Sequence, residues 1–445
     1  MAQPKDTSLM ESLCRRDHVL TDLCARPLAC FALMLAANAA IAQADPLGIN
    51  PDSDSYGRYA SMASVNGNTL IAYENRQGAR GMTVTICEGP ACRFPISQVQ
   101  DPQGTSNGAG VFASLLIPSD GLPVIVHVKF GAGGGIRVAK CGSSVCLPVM
   151  GAPPTTLVNV GSTGFFPNSV SAAVSSDGFP VISASLADGS VGQGLWVLKC
   201  SDPFCMGAVT ETQIDPSRPN SGRWNATAIG ADGMPVIAYQ DRTSTGSNGN
   251  VMLLKCNDPA CLGGDDSFSE LEPLSGSVDR QIDLAIGPGG NPVIAFATPT
   301  GGLGLIACND AACLGDDESF NVVSTRAAIG SAVALALNTL GHPVLAAHGF
   351  NSAANSLEVI ACNDPLCSGN DEQTLHYFDD IDPDIGFGRY ADLSHAGNDV
   401  FSLVYMREER ISTSQFDRSL RVVDCTIEGC GVVFQDGYED ASGAP

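Results

Sequence analysis

Seven pairs of cysteines, each pair separated by four residues, constrain this chain more than any other feature. They are Cys87/Cys92, Cys141/Cys146, Cys200/Cys205, Cys256/Cys261, Cys308/Cys313, Cys362/Cys367 and Cys425/Cys430. Successive first cysteines lie 54, 59, 56, 52, 54 and 63 residues apart, so one unit is written seven times. Each copy has the same grammar. In SAAVSSDGFPVISAS (171–185), ATAIGADGMPVIAYQ (226–240) and DLAIGPGGNPVIAFA (283–297), two short apolar runs flank a glycine-containing turn. Asp177-Gly178 and Asp232-Gly233 supply the positive φ that a tight hairpin demands. A third run, such as LWVLKC or VMLLKC, leads into the first cysteine, and a fourth, such as SFSELEPL, follows the second.

Four strands per unit, seven units and almost no helical periodicity predict an all-β fold: a seven-bladed β-propeller of four-stranded blades over residues 57–431. A solenoid of the same strands would need capping ends, and none is visible. In a propeller the Asp-Gly turns and cysteine hairpins share one face of the disc. The joins between units and the loops after the PVI strands form the other, the face expected to carry function. This placement also decides the chemistry of the cysteines. Zinc wants four converging ligands, whereas each pair sits on its own blade. A redox pair more typically has two intervening residues, and seven copies of one would be odd. The pairs are therefore staples, one local disulfide per blade, each contributing roughly 2 kcal/mol by closing a short loop.

Residues 1–44 read as a secretory leader: Arg26 precedes the apolar run LACFALMLAANAAIA, and Ala42-Gln43-Ala44 gives a small-x-small cleavage signature. The run is too short for a membrane anchor, and no other segment is apolar enough to span a bilayer. Cys14, Cys24 and Cys30 leave with the leader, so the mature chain keeps an even set of cysteines, as expected after export to a secreted, periplasmic or cell-surface location. Residues 45–56 are an N-terminal segment, and 432–445 a C-terminal strand or tail. The leader carries four acids and four bases, which leaves the mature chain with the whole net charge of -24. Nucleic acid is thereby disfavoured as a partner, because phosphate contacts need clustered Lys and Arg. A monomer is expected.

With its DGxPVI…KCxDxxC unit, the chain resembles a broad group of exported bacterial repeat proteins that look like sialidase-type propellers. The resemblance covers residues 58–430 and implies the fold; it implies little about activity. The sialidase turn pairs Asp and Gly with a nearby Ser and aromatic, and SSDGFP and GADGMP keep only the Asp-Gly. The ending CGVVFQDGYED also resembles a short C-terminal tail seen on exported proteobacterial proteins. Such a tail would leave the outer strand of the last blade to be supplied from elsewhere, for example by residues 45–55.

Aligning the units on the PVI strands places Arg58, Arg223, Arg280 and Arg389 at equivalent starts of inner strands, in the words GRYA, GRWNA, DRQID and GRYA. Three have an aromatic next door: Tyr59, Trp224 and Tyr390. Guanidinium forks clustered near the axis would clamp a carboxylate or phosphate, or else pair with acids of the joins. Alternating acids in DSDSYGRY (52–59) and DDIDPDIGFGRY (379–390) suit Ca²⁺, but the EF-hand pattern fails at Tyr56 and Ile385, so no cofactor is expected and calcium stays the weaker alternative. Gly104–Gly108 matches the nucleophile-elbow formula without the strand and helix it requires. The five mature histidines share no metal spacing.

The expected function is thus that of an exported, non-enzymatic binding or scaffold module for an anionic glycan or a protein. The alternative is a sialidase-like glycoside hydrolase or polysaccharide lyase. Non-reducing peptide mapping should return seven short cysteine loops; a cross-blade pairing would break the repeat alignment.

Overall fold

The structure is a computed structural model that describes residues 58–431, leaving out 76–80, 88–94, 103–107, 132–133, 149–154, 162–166, 187–193, 242–248, 275–280, 299–301, 316, 325–328, 351–354, 370–371, 380–384, 398, 411–415 and 427–428. For some strand residues, Arg58, Arg389 and Cys430 among them, the backbone alone is described. The expected leader, the 45–56 segment and the 432–445 tail lie outside the described residues.

The described residues form seven four-stranded antiparallel sheets, each made of four consecutive strands. Blade one contains β1 (Arg58–Val65), β2 (Asn68–Asn75), β3 (Gly81–Cys87) and β4 (Pro95–Pro102). Blades two to seven span 109–160, 167–213, 221–274, 282–324, 329–379 and 385–431. The first strand of each blade touches the first strand of the next, and that of blade seven touches β1, so the ring is closed around an axis. The last blade takes its outer strand from its own cysteine hairpin, Gly429–Gly431, paired with Phe416–Thr426. The expectation that a distant segment fills that place is therefore corrected. The hairpin supplies the fourth strand because the chain need only turn back at Cys425/Cys430 to pair. Among the described residues no helix is long and apolar enough to cross a membrane.

The PVI runs are apolar without alternation because both faces of the second strand are buried, as in Pro180–Leu186 and Pro235–Asp241, where every residue is buried. Period two still decides which neighbour each side chain meets. In blade three, Ile182 packs into the core shared with blade two and Val181 into the core shared with blade four. In blade one, Ile71 faces blade seven and Leu70 faces blade two. The seven buried apolar clusters of the described residues each join one pair of adjacent blades.

The cysteine pairs are local. Five described bridges, Cys141–Cys146, Cys200–Cys205, Cys256–Cys261, Cys308–Cys313 and Cys362–Cys367, have Cα atoms 4.9–5.0 Å apart, within the range a disulfide spans. Cys87 and Cys425 are disulfide-bonded as well. The spacing pairs Cys87 with Cys92, but Cys92 lies outside the described residues, as does the side chain of Cys430, the expected partner of Cys425. The described bridges of the expected set of seven are therefore those of blades two to six. In each of these the second cysteine sits at positive φ, between 47° and 54°, which folds the loop back on itself. The Asp of the intervening residues supports that bend: Asp202, Asp258, Asp310 and Asp364 each accept the N–H two residues on, at 2.7–2.8 Å.

A second coupling ties this hairpin to the Asp-Gly turn. Lys199 is buried and reaches Asp177 at 2.8 Å, Lys255 reaches Asp232 at 2.7 Å, and Lys140 bonds Asp120. Each aspartate also accepts the N–H of Leu122, Phe179 or Met234 within the turn. Partial burial works against these carboxylates, but the lysine and the turn N–H outweigh it and hold them below the usual range. Removing one partner strands a buried ammonium. Asp177→Ala should therefore cost on the order of 1–3 kcal/mol in denaturant unfolding, and adding Lys199→Met should recover most of the loss; equal loss in the single and double variants would show that the pair is dispensable.

Candidate functional site: an aromatic-rimmed cavity on the axis

At the start of the inner strands the chain repeats an unusual backbone device. Tyr59, Phe112, Trp224 and Tyr390 all have φ of 52–54°, the left-handed region that a bulky L-residue adopts only at a cost. Each lies inside a register shift of the ladder: between Arg58 and Ser61, Val111 and Ser114, Arg223 and Ala226, and Arg389 and Asp392. The preceding glycine makes the bulge fit. A Cβ on Gly110 would lie 2.9 Å from the Cα of Glu74, and one on Gly222 would lie 2.9 Å from the Cα of Leu195, both on the previous blade. In blade two His127 also braces the bulge, accepting the Gly110 N–H on Nδ1 at 3.1 Å. Burial lowers its pKa to about 4, against the opposing pull of Asp101 3.4 Å from Nε2, so the ring is neutral.

The four aromatic rings line one cavity of about 220 Å³ on the axis. They form an arc: Tyr390 to Tyr59 is 4.5 Å between centroids, Tyr59 to Phe112 is 4.6 Å, and Phe112 to Trp224 is 6.0 Å. The last gap spans blade three, which offers the small Ser169, whose hydroxyl accepts the backbone N–H of Trp224 at 3.1 Å. Gln281 extends the lining in blade five.

Two residues further along, the inner strands meet their second strands at equivalent register: Ser61, Ser114, Ser171, Ala226, Asp283, Ala334 and Asp392. All of these but Ala334 line the cavity, and blade six presents Val333 instead. Several have a common structural task, accepting a backbone N–H from another blade. Ser61 takes that of Leu115 at 3.1 Å, Ser171 that of Thr227 at 3.0 Å, Asp283 that of Leu335 at 2.7 Å, and Asp392 that of Met62 at 2.7 Å. The Asp392 bond joins the last blade to the first.

Where serine suffices elsewhere, Asp283 and Asp392 bring carboxylates to the cavity wall. Their second oxygens accept the N–H of Leu284 and Leu393 at 2.8 and 2.9 Å. Enclosure by protein pushes Asp283 up to about 7, with the Asp392 charge adding to it, and burial pushes Asp392 up to about 6. The described lining includes no Lys, Arg or His.

Of the four arginines, Arg280 and the side chains of Arg58 and Arg389 lie outside the described residues. Arg223 is half-buried beside the cavity rather than in its lining. Its counterpart in blade two, Val111, is buried in the apolar core between blades two and three, so this position addresses a blade joint. The aromatic neighbours Tyr59, Trp224 and Tyr390 are brought together, along with Phe112, whose word GVFA has valine in place of the arginine. The acidic stretches 52–56 and 380–384 fall outside the described residues. Cys308 and Cys313 approach Glu318, and Cys362 and Cys367 approach Glu372, but each pair of sulfurs is joined and offers no thiolate to a metal.

The raised carboxylates make a signed prediction. A carboxyl whose pKa is higher folded than unfolded keeps its proton longer when folded, so the folded state loses stability as pH rises from about 4 to about 7. Asp283→Ser keeps a hydroxyl for the Leu335 N–H and removes the charge. At pH 8 it should stabilise the protein, on the order of 2 kcal/mol, and at pH 4 it should gain nothing; a pH-independent difference would refute the assigned burial.

No family model matches the chain, and no curated protein sequence is similar to it. Solved structures do match. An ulvan lyase, described as a new family of polysaccharide lyase, is 11% identical with TM-score 0.56, covering 87% of this chain and 97% of that one; a second structure of it, bound to -[GlcA(1-4)Rha3S]-, matches equally. A puromycin hydrolase is 14% identical with TM-score 0.54 over 87% of this chain, which spans 55% of that protein. A sialidase from Streptococcus pneumoniae reaches a TM-score of 0.43 at 9% identity, over 83% of this chain and 70% of that one. At such identities the likeness is one of fold, and the chain is a seven-bladed β-propeller of the architecture that a polysaccharide lyase also uses.

Proposed function

We propose that this protein is an exported, non-enzymatic binding module that receives the end of a glycan in its axial cavity. The observation that carries the reading is the aromatic arc Tyr390–Tyr59–Phe112–Trp224, held in the cavity wall by four strained bulges. Aromatic rings offer apolar surface to the C–H face of a sugar, and Ser114 and Gln281 offer hydroxyl-matching polar groups beside them. Retaining four bulky residues at positive φ costs on the order of 1–3 kcal/mol each, a cost that a purely structural joint avoids by using a small residue, as blade three does with Ser169. The disulfides fit an oxidising, extracytoplasmic location.

The enzymatic alternative, a hydrolase or lyase, would draw on Asp283 and Asp392 as an acid–base pair with raised pKa values. Against it, both oxygens of each carboxylate already accept backbone N–H groups that fix the ring, which makes the pair part of the closure before any chemistry.

Trp196 and Trp224 are the chain's two tryptophans, so a Trp196→Phe variant leaves Trp224 as the sole indole reporter. Oligosaccharide binding should change its emission. Tyr59→Ala and Trp224→Ala, followed by calorimetry, should each weaken binding about tenfold or more with melting temperatures near the parent's. The same glycans incubated with the protein should yield no new reducing ends and no unsaturated product; either product would establish the enzymatic reading instead.

A further inference from the structure

We infer that the axial cavity selects an amino sugar, with its ammonium group taken between Asp283 and Asp392 and its ring against the aromatic arc. The inference rests on the cavity being the glycan site and adds the chemical class of the ligand. It differs from the anionic ligand that the arginine words suggested.

The two carboxylates stand on blades five and seven, on either side of blade six, whose contribution to the wall is the small, apolar Val333. The aromatics occupy blades seven, one, two and four. The cavity thus has a carboxylate sector and an aromatic sector, and both attract cations: carboxylates by charge, ring faces through their quadrupole. Each carboxylate offers about four lone-pair directions; the described backbone bonds use two of them, and at Asp392 the Ser61 hydroxyl takes another. The remaining directions are available to a donor in the cavity. An ammonium with three N–H bonds can serve both acids at once, whereas a hydroxyl donates one. The other titratable groups of the described lining are the phenols Tyr59 and Tyr390, so no cation there neutralises the pair. An anion would meet this wall, and a chain of net charge -24, without a described basic partner in the cavity. The acids also repel each other, which is visible in the extra rise that Asp392 imposes on Asp283, and a bound ammonium relieves that repulsion.

The test uses the full mature protein and three tetrasaccharides in calorimetry at neutral pH: β-1,4-linked glucosamine, its fully N-acetylated counterpart, and a galacturonate tetramer. The glucosamine tetramer should bind at least tenfold tighter than the acetylated one, with the preference shrinking at high salt, and the galacturonate should bind weakest. Asp283→Ser should bring the amino-to-acetyl ratio close to one. Should that variant fold poorly, Asp392→Ser, which likewise keeps a hydroxyl for its partner N–H, reads the same ratio. Equal or tighter binding of the acetylated or acidic tetramer overturns the amino-sugar inference but leaves the glycan reading standing. Retention of the amino preference in both serine variants overturns the role of the carboxylates. Failure of all three tetramers to bind overturns both readings together.

Discussion

Every blade in this protein is a sheet that must bury both of its faces, and the rest of the structure follows from that constraint. A four-stranded blade standing alone would expose both apolar faces to water; here each is pressed between two others, and the seven buried clusters are the seven joints. The alternating side chains of one strand therefore serve two different neighbours, Val181 one and Ile182 the other. Because each joint depends on the next, the ring must close. It does so through the contact of the last inner strand with β1 and through the Asp392 to Met62 hydrogen bond.

The two faces of the disc solve different problems with the same repeat. On the turn face, the aspartate of the Asp-Gly turn pairs with the lysine before the cysteine, while the aspartate within the cysteine loop is taken up by the N–H groups of its own loop. At the start of the inner strands, bulges with a bulky residue at positive φ bring four aromatics to the axial cavity. The same ring position that staples blades with serine on one side of the cavity places a carboxylate on the other. Departures from the repeat, rather than the repeat itself, thus give the cavity its chemical asymmetry.

The arginine words carry a backbone device as well as a charge. Gly, Arg and an aromatic recur together because the glycine permits close approach to the preceding blade and the aromatic occupies the left-handed residue of a bulge. Charge is the conspicuous member of the word, yet the described lining takes up its aromatic neighbour. A search for the backbone device, glycine followed two residues later by an aromatic at the start of an inner strand, would have found Phe112 as well. The Lys–Asp coupling was also open to inspection: lysine precedes the first cysteine in units two, three and four, the units whose turn is Asp-Gly, and is absent beside Asn66-Gly67, Gly289-Gly290 and Leu340-Gly341.

By itself the sequence determined the number of blades, the strand order within each and the local pairing of the cysteines. These are fixed by period, turn chemistry and loop length, which act over a few tens of residues. Tertiary structure alone decided which residues meet on the axis. Ser61, Asp283 and Asp392 are more than 100 residues apart from one another in all pairings, and their common cavity exists because ring closure superimposes equivalent positions of separate units. A position's distance from the axis and the face it addresses depend on a one-residue bulge, and a shift that small is written in backbone torsion rather than in residue spacing.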